Sequence, residues 1–539
     1  MKILHNILLS LLFVIFLTGC GSYAENPKVV IQQGIVQGFH KKSYDGRTFT
    51  AFEGIPYAKP PVGNLRFKEP KKAPGWNGTL LANKHYICSQ LDESNSVIGT
   101  EDCLYMYIYV PKKRISRYYN FDVVVHMHGG SLVVGSPYEN ILPDYLMDKN
   151  IILVAFNYRL GAAGFFSTGD SVVAGNNGFK DQVLALKWIK ENIKEFGGKP
   201  SSITITGWSS GGQSVQFHYL SPMSRGLFHR GFSSSGVVTN PDALTLIPKE
   251  NAKRLAESLN CGSRNTNQMV DCLKRLPIEK LVNTSMAFKP SVEKGIVNGF
   301  LPEHPYKLLK DKKVYDVPWV AANVVNESLY SLDSVYNNRS EVFSIYNNWL
   351  EWGRVWLDLE EYVEQDKMND TLNRIKAFYM DSTKLTEQNG LEKLNRLLTD
   401  RHFLVGTDLA VRTHAAATRS NVYFYLFKFI PEDRLQFGGP PAASHGVDNK
   451  LLFKDRANPN KLQHEGEKMM REFTDFMAEY AMTGIPKIKK NLPPIIRPES
   501  CLNILEINSP DDIQPREVTE IAPRAFWNSL PIKENNHLY

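Results

Sequence analysis

The stretch FGGKPSSITITGWSSGG, residues 196–212, joins an alternating apolar run to a serine that is surrounded by glycines. The alternation is typical of a strand, and the turn that follows is typical of a tight strand–turn–helix junction. Such a junction lifts the Ser209 hydroxyl clear of the sheet, and Gly207 and Gly211 lack the Cβ atoms that would collide where the helix crosses the strand. Because an ordinary glycine-rich turn fits the same letters, the hypothesis that Ser209 is a nucleophile depends on the rest of the chain.

Strands and helices are predicted to alternate on both sides of this stretch. Short apolar runs between turn residues predict buried strands at 121–128, 151–156, 202–206, 317–325 and 421–427. Apolar residues at helical spacing predict a helix over 178–197, which Gly197 and Gly198 end. This order predicts an α/β fold with a large, mainly parallel central sheet flanked by helices on both faces, and chemistry at the carboxyl ends of the strands.

Length and composition indicate one large globular domain. Of the 539 residues, 42% are hydrophobic and 22% are charged. A chain of this length with this share of hydrophobic residues can bury a large core. We find no linker-like change of composition and no internal repeat, so residues 25–539 are predicted to form a single catalytic domain. The formal net charge of +7 comes from scattered residues and does not indicate a nucleic-acid partner.

Residues 1–24 have the layout of a secretory signal peptide. Lys2 precedes an apolar stretch of about eleven residues, and small residues up to Ala24 mark an expected cleavage site. A spanning helix needs about 20 apolar residues, so secretion without a stable membrane span is expected. The letters LTGC, which end at Cys20, also resemble a bacterial lipoprotein box, so lipid anchoring at Cys20 is the minor alternative.

The cysteine pattern fits an oxidising, extracellular environment. Beyond the signal peptide, five cysteines form two close pairs and one single residue. Disulfides are expected between Cys88 and Cys103 and between Cys261 and Cys272, and each would stabilise the fold by about 3 kcal/mol. Cys501 lies in an alternating apolar stretch and is expected to be a buried free thiol. No pair has zinc spacing, and no metal is expected.

Several blocks of the sequence carry a family resemblance. The stretch around Ser209, the segment EDCLYMYIYVP at 101–111 and the blocks FEGIPYAKPPVGNLRFKEP, FNYRLGAAGFF and GNNGFKDQVLALKWIKENIKEFGG together resemble the type-B carboxylesterase/cholinesterase family of α/β-hydrolases. In the second segment, Tyr107 stands where a small polar residue is usual. The combination is more specific than any single motif. The resemblance implies an α/β-hydrolase fold and an insect-like secreted carboxylesterase.

A serine nucleophile needs a base and a carboxylate that orients it. The α/β-hydrolases carry these groups in the chain order serine, acid, histidine. The resemblance identifies His445, in the loop GGPPAASHGVDNK, with the catalytic histidine, and Glu327, just past a predicted strand, with the catalytic acid. For His128, His218 and His414 a packed or solvated position is the expectation.

Acyl transfer also needs hydrogen-bond donors for the oxyanion. The segment HMHGGSLVVGS resembles the His-Gly-Gly-Gly loop of the family, and the match assigns this role to the backbone N–H groups of Gly130, Ser131 and Ser210. Ser131 replaces a glycine of that loop, and Ser328 replaces the glycine that usually follows the catalytic acid.

The resemblance implies a two-step cleavage of a small-molecule ester without a cofactor. His445, held by Glu327, would take the proton of Ser209 during attack on the carbonyl, and water would then release the acid from the acyl-enzyme. The sequence does not indicate the oligomeric state. Some relatives are adhesion proteins that keep the fold without activity, but they typically lose the nucleophile or its base, so a non-catalytic protein is the less favoured alternative.

The sequence narrows the substrate class. Cholinesterases carry a tryptophan between the first two bridge cysteines, whereas SQLDESNSVIGTED has none, which disfavours choline. Juvenile hormone esterases usually place glutamine before the nucleophile, where this chain has Trp208. A carboxylesterase for small to medium apolar esters, with an apolar gorge, is the main expectation. A juvenile-hormone, odorant or pheromone esterase and a lipase-like lipid ester hydrolase are the alternatives.

Sequons suggest a glycoprotein. The candidate sites are Asn77, Asn283, Asn338 and Asn369. A fifth sequon begins at Asn326, beside the expected catalytic acid. Because a glycan there would crowd the site, Asn326 is predicted to be unmodified.

Overall fold

The computed structural model describes residues 26–262, 264–284, 286–381, 385–430, 442–454, 456, 462–496 and 498–536. The expected signal peptide, residues 1–24 with Cys20 and Ala24, lies outside the described residues. No helix within these ranges is both long and apolar enough to cross a membrane.

A large mixed sheet forms the centre of the protein. The strands of the described residues are β1 Lys28–Ile31, β2 Gly34–Gln37, β3 Phe39–Lys42, β4 Thr48–Pro56, β5 Thr79–Leu81, β6 Gln90–Leu91, β7 Val97–Ile98, β8 Tyr105–Val110, β9 Phe121–Met127, β10 Ile151–Phe156, β11 Gly198–Trp208, β12 Arg230–Ser234, β13 Trp319–Val324, β14 Val422–Phe427, β15 Lys487–Ile488, β16 Lys490–Asn491, β17 Leu502–Ile507 and β18 Ile513–Val518. Eleven of them form one sheet in the order β18-β17-β14-β13-β12-β11-β9-β10-β8-β4-β3. Neighbouring strands from β10 to β17 are parallel, and the strands at both edges are antiparallel.

Helices connect the strands. Those of the described residues are α1 Pro137–Asn140, α2 Gly161–Phe165, α3 Asn177–Asn192, α4 Ser210–Leu220, α5 Pro248–Ser258, α6 Thr266–Arg275, α7 Ile278–Val282, α8 Pro305–Lys310, α9 Asp333–Asn337, α10 Glu341–Asn347, α11 Trp349–Trp356, α12 Gln365–Tyr379, α13 Glu387–Thr399, α14 Val405–Ala417, α15 His464–Thr483 and α16 Arg524–Asn528. A π-helical turn, Asp400–Leu404, joins α13 to α14.

The predicted fold class is confirmed. The five predicted strands are β9, β10, β11, β13 and β14, and all lie in the parallel centre of the sheet. The predicted helix is α3, which continues as a 3-10 turn to Phe196. Gly197 ends it with a φ of 91°, in the left-handed region that favours glycine.

The central strands bury both of their faces. Along β10, Ile152 and Val154 pack into the apolar layer that contains α3, whereas Ile151 and Leu153 pack into the opposite layer with α15. All four side chains are fully buried, which explains why these strands are continuous apolar runs in the sequence. Helices α9 to α13 form a third apolar cluster together with Trp527.

Two disulfides join the cysteine pairs suggested by the sequence. The S–S distance is 2.03 Å between Cys88 and Cys103 and 2.08 Å between Cys261 and Cys272. Cys501 is unpaired, but the expectation of a buried thiol was wrong, because this residue is only partly buried. It lies just outside β17, whose first residue, Leu502, is the one that enters the core.

A buried ion pair ties the end of β10 to α3. Asp181 on α3 accepts hydrogen bonds from Arg159 through the backbone N–H at 3.0 Å, Nε at 2.8 Å and Nη2 at 2.7 Å. The exposed fraction is 3% for the Arg159 side chain and zero for Asp181. The guanidinium group therefore depends on this carboxylate for the compensation of its charge.

Asp181→Ala is expected to lower the free energy of unfolding by about 3 kcal/mol or more, because it leaves the Arg159 charge buried without its partner. Urea unfolding followed by tryptophan fluorescence measures this loss. Glu191→Ala on the same helix is the matched control, since Glu191 pairs with Lys72, whose side chain is 59% exposed, and exposed pairs contribute at most about 1 kcal/mol. Equal losses in the two variants would contradict the role assigned to the buried pair.

Candidate active site

Ser209 lies between β11 and α4 in a strained backbone conformation. Its φ is 58° and its ψ is −127°, a backbone conformation that residues other than glycine rarely adopt. A Cβ atom on Gly207 would lie within 3.0 Å of the Gly211 carbonyl oxygen, and a Cβ atom on Gly211 equally close to the Met127 carbonyl oxygen. The two glycines therefore allow the helix to cross the strand directly behind Ser209.

The end of β12, the residue Gly236 just beyond it and the first turn of α4 hold the strained turn. The Ser209 N–H donates to the Ser234 carbonyl oxygen at 2.8 Å, and the Ser209 carbonyl oxygen accepts from the Gln213 N–H at 3.0 Å. Gly236 packs against the same carbonyl, because a Cβ atom at this position would collide with the Ser209 oxygen. The peptide groups before and after Ser209 are therefore both hydrogen-bonded.

His445 and Glu327 form a hydrogen-bonded pair. His445 Nδ1 donates to Glu327 Oε2 at 2.7 Å, while Glu327 Oε1 accepts from Asn323 Nδ2 at 2.7 Å and from the Val324 N–H at 3.0 Å. Glu327 is fully buried, and the His445 side chain is 9% exposed. Because the carboxylate is held at both oxygens, it can fix the tautomer and the direction of the imidazole ring.

Backbone contacts bring the histidine loop to the end of β13. The Asn326 N–H donates to the Ala443 carbonyl oxygen at 3.1 Å, and Asn326 and Ser444 form an isolated parallel bridge. These contacts join segments that are more than a hundred residues apart, and they lie directly beside Glu327 and His445 in the chain. The pairing of acid and histidine is therefore set by the backbone as well as by their side chains.

Three aromatic rings surround the His445 imidazole. The ring centroids of Trp208, Phe403 and Tyr330 lie 5.0, 5.1 and 5.2 Å from that of His445. Trp208 directly precedes Ser209, so this ring contact brings the imidazole next to the strained turn. Gly446 takes a φ of 80° and leaves room for the indole, which a Cβ atom at this position would strike.

Asp448 links the histidine loop to the turn at Ser209. Its Oδ2 accepts from Ser234 Oγ and from the Tyr425 hydroxyl, both at 2.9 Å, and its Oδ1 accepts from the Asn449 N–H at 2.9 Å. Burial raises the pKa of Asp448 above its ordinary value; the Tyr425 hydrogen bond opposes the rise and the nearby Glu327 charge adds to it. The side chain of Ser234 thus bonds the histidine loop, while its backbone oxygen bonds Ser209.

The Gly130 loop, residues 128–136, lies at the carboxyl end of β9. Gly130 and Ser131 have φ values of 106° and 54°. The Leu132 N–H donates to Ser210 Oγ at 3.2 Å, and the Tyr158 hydroxyl donates to the His128 carbonyl oxygen at 2.8 Å. The loop is therefore fastened to α4 on one side and to the segment after β10 on the other.

Three backbone N–H groups of this region are available as donors. Within the described residues, the N–H groups of Gly130, Ser131 and Ser210 donate to no protein acceptor. Ser210 begins α4, and the first N–H groups of a helix have no partner inside the helix. Donors of this kind can stabilise an oxygen that gains negative charge during a reaction.

The backbone accommodates the two serines that replace glycines of the family pattern. Ser131 adopts the left-handed region in an exposed position, at a modest cost for a small side chain. Ser328 has a φ of −93°, which any residue can adopt, so glycine is not required there. The Ser328 N–H donates to Thr399 Oγ1 at 3.2 Å, which fixes the turn after Glu327.

The other histidines considered from the sequence lie in the interior. His128, His218 and His414 are buried. Burial lowers the pKa of His128 to about 4 and the pKa values of His218 and His414 to about 3. These rings are neutral at physiological pH, as expected for packed histidines. No group of three or more His, Cys, Asp or Glu side chains that could hold a metal occurs in the described ranges.

Sequence reasoning missed the residues that surround the catalytic candidates. Asp448 stands three positions after His445, and its only signal was a charged residue at the start of an apolar segment. Phe403 lies in the π-helical turn, and Tyr330 lies in a 3-10 turn after Glu327. No pattern in the sequence connects these two aromatic residues with His445, because their proximity arises only in the fold.

The sheet order, the strained serine turn and the buried carboxylate–histidine pair define an enzyme with the α/β-hydrolase fold. The model of the carboxylesterase family matches residues 25–522. The chain therefore belongs to the carboxylesterase family and is a carboxylic ester hydrolase.

Comparisons with individual proteins agree with this assignment. The chain is 35% identical to venom carboxylesterase-6 of Apis mellifera, over 97% of this chain and 98% of that protein. It is 34% identical to a carboxylic ester hydrolase of Bombus ignitus, over 98% of both chains. Its fold is similar to the crystal structure of juvenile hormone esterase from Manduca sexta with OTFP covalently attached, with a TM-score of 0.81 and 24% identity over 94% of this chain and 99% of that one.

Gly236→Ala is expected to lower kcat/KM for p-nitrophenyl acetate by about a hundred-fold, because the new Cβ atom displaces the Ser209 carbonyl and with it the serine turn. Initial rates of p-nitrophenol release at several substrate concentrations measure the loss of kcat/KM. Gly75→Ala, at an exposed position, is the control and should retain the parent value. Unchanged kinetics in Gly236→Ala would show that the turn tolerates displacement.

Proposed function

We propose that this ester hydrolase acts through a triad of Ser209, His445 and Glu327. The observation that carries the proposal is the 2.7 Å bond between His445 and the buried Glu327, in a loop that is tied to the strained turn at Ser209. In the proposed reaction, His445 Nε2 accepts the Ser209 proton while Oγ attacks the ester carbonyl carbon. The same proton then goes to the leaving alcohol, and an acyl-enzyme remains.

Water completes the proposed cycle. His445 accepts a proton from water, the resulting hydroxide adds to the acyl carbonyl, and the carboxylic acid leaves as Ser209 regains its proton. In both steps the N–H groups of Gly130, Ser131 and Ser210 would stabilise the oxyanion, each contributing about 3 kcal/mol as in comparable hydrolases. Protein groups supply every role, and the proposal includes no cofactor.

Small to medium apolar carboxylic esters are the proposed substrates. Aromatic rings surround His445, and apolar side chains line a cavity beside the Gly130 loop, which includes Val133 and Val134. Apolar walls with few polar groups favour apolar ligands. We also propose that residues 25–539 form one catalytic domain that is secreted after removal of residues 1–24, without a nucleic-acid partner or a stable membrane span.

Ser209→Ala is expected to abolish hydrolysis of p-nitrophenyl acetate and labelling by a fluorophosphonate probe, because no other group can form the acyl-enzyme. The thermal unfolding midpoint should stay nearly unchanged, since only one oxygen is removed. Ser201→Ala, an exposed position on the same strand, is the control for both assays. Substantial turnover in Ser209→Ala, or parent protein that resists the probe while folded, would contradict the triad.

Peptide mass mapping of the secreted protein is expected to find glycans on some of Asn77, Asn283, Asn338 and Asn369 and none on Asn326. The first four side chains are exposed. Asn326 is only partly exposed, and its Oδ1 accepts a hydrogen bond from Asn395 Nδ2 at 2.8 Å. A glycan on Asn326 would refute this expectation.

A further inference from the structure

The last turn of α13 lies against the residues that flank Glu327. The Ser328 N–H donates to Thr399 Oγ1 at 3.2 Å, and the Thr399 hydroxyl donates to Asn395 Oδ1 at 3.3 Å. Asn395 Nδ2 in turn donates to Asn326 Oδ1 at 2.8 Å. This series of hydrogen bonds begins one residue after Glu327 and ends one residue before it, so α13 holds the acid by both of its neighbours.

The side chains that α13 contributes are buried. Thr399 is 2% exposed and Asn395 is 6% exposed. A threonine hydroxyl can accept one hydrogen bond while it donates another, and Thr399 uses both capacities here. A methyl group in place of this hydroxyl would remove the protein acceptor of the Ser328 N–H and the donor to Asn395.

The Glu327 carboxylate is fixed from the strand side by other groups. Its Oε1 accepts from Asn323 and Val324, which both belong to the end of β13. Its Oε2 must stay directed at His445 Nδ1, which lies 2.7 Å away. The peptide group that follows Glu327 in the chain bonds Thr399. The acid is therefore supported by β13 on one side and by α13 on the other.

Thr399 also joins two turns whose aromatic rings contact His445. The 3-10 turn after Ser328 carries Tyr330, and the π-helical turn after Thr399 carries Phe403. The ring centroids of Tyr330 and Phe403 lie 5.2 and 5.1 Å from that of His445. A displacement between these two turns would therefore move the acid and both rings relative to the imidazole.

The π-helical turn is itself tied to the segment that follows β12. Asn240 Nδ2 donates to the carbonyl oxygens of His402 and Phe403, at 3.3 Å for the latter. Thr239 Oγ1 donates to the Gly406 carbonyl oxygen at 2.7 Å. Because the same segment begins beside the serine turn, the support of the acid and the support of the nucleophile candidate share one part of the chain.

We propose that Thr399 and Asn395 are positioning residues of this hydrolase, which keep the Glu327 carboxylate directed at His445. The inference rests on the proposed triad and names the groups that align it. A catalytic group must be held within about 0.5 Å of its productive position. Both residues act through Glu327 rather than on the ester, so their loss should slow the reaction without weakening the binding of substrate.

Thr399→Val removes the hydroxyl and keeps the shape of the side chain. It should lower kcat for p-nitrophenyl acetate by about ten-fold and leave KM within about two-fold of the parent value. Thr399→Ser keeps the hydroxyl and should retain most of the parent kcat. Thr371→Val is the matched control with parent kcat, since Thr371 is buried on the neighbouring helix α12, where its Oγ1 donates to the Lys367 carbonyl oxygen at 2.9 Å.

Glu327→Gln separates an effect on the acid from a general loss of structure. This variant should lower kcat by about a thousand-fold or more, because glutamine cannot compensate the charge of the imidazolium. When Thr399→Val is added to Glu327→Gln, no further loss is expected, since residues that act as one unit are not additive. A merely structural role of Thr399 would instead produce the same ten-fold loss in both backgrounds.

Asn395→Ala is the second variant, and it decides the test if Thr399→Val fails to fold. It should lower kcat by about three-fold, and this loss should also disappear in the Glu327→Gln background. Parent kcat in the folded variants, or losses that persist beside Glu327→Gln, would overturn the inference and leave the triad intact. Parent kcat in Glu327→Gln itself would refute the triad, and the inference with it.

Discussion

The contact between α4 and the strands beneath it is the constraint on which the site depends. Gly207 and Gly211 face each other where the helix crosses β11, and Gly211 also packs on the Met127 carbonyl. A side chain at either position would separate the helix from the sheet. Because the two elements touch, the chain must reverse within one residue, and Ser209 takes the strained conformation that makes this reversal possible. The surrounding packing supplies the free energy that maintains it.

Ser234 joins the parts of the site that are far apart in the chain. Its carbonyl oxygen binds the N–H of Ser209, and its hydroxyl binds Asp448, three residues after His445. The ring contact between Trp208 and His445 makes a second connection between the same two segments. The nucleophile candidate and the base candidate are therefore held by neighbours on both sides, and a displacement of β12 would disturb the two together.

Five of the seven strands of the parallel centre could be predicted from sequence, because they are short apolar runs buried on both faces. The other two, β12 (RGFSS) and β17 (LNILEI), were not predicted. The edges could not be predicted: β18 is IQPREV and β3 is FHKK, and both carry charges that obscure the alternation. The proposed triad followed from motifs with a fixed chain order. The aromatic rings around His445 could not be predicted, because Phe403 reaches the site from a π-helical turn that no local sequence pattern indicates.

The cavity beside the Gly130 loop has a consequence for the divergence of such enzymes. None of its lining residues lies in the eleven-stranded sheet or in the glycine crossing behind Ser209. Val133 and Val134 belong to the loop that carries two of the proposed oxyanion donors, whereas Leu160, Leu281 and Met286 do not. Substitutions at these three residues can therefore change the shape of the cavity while every residue of the proposed triad and of the Gly130 loop stays the same.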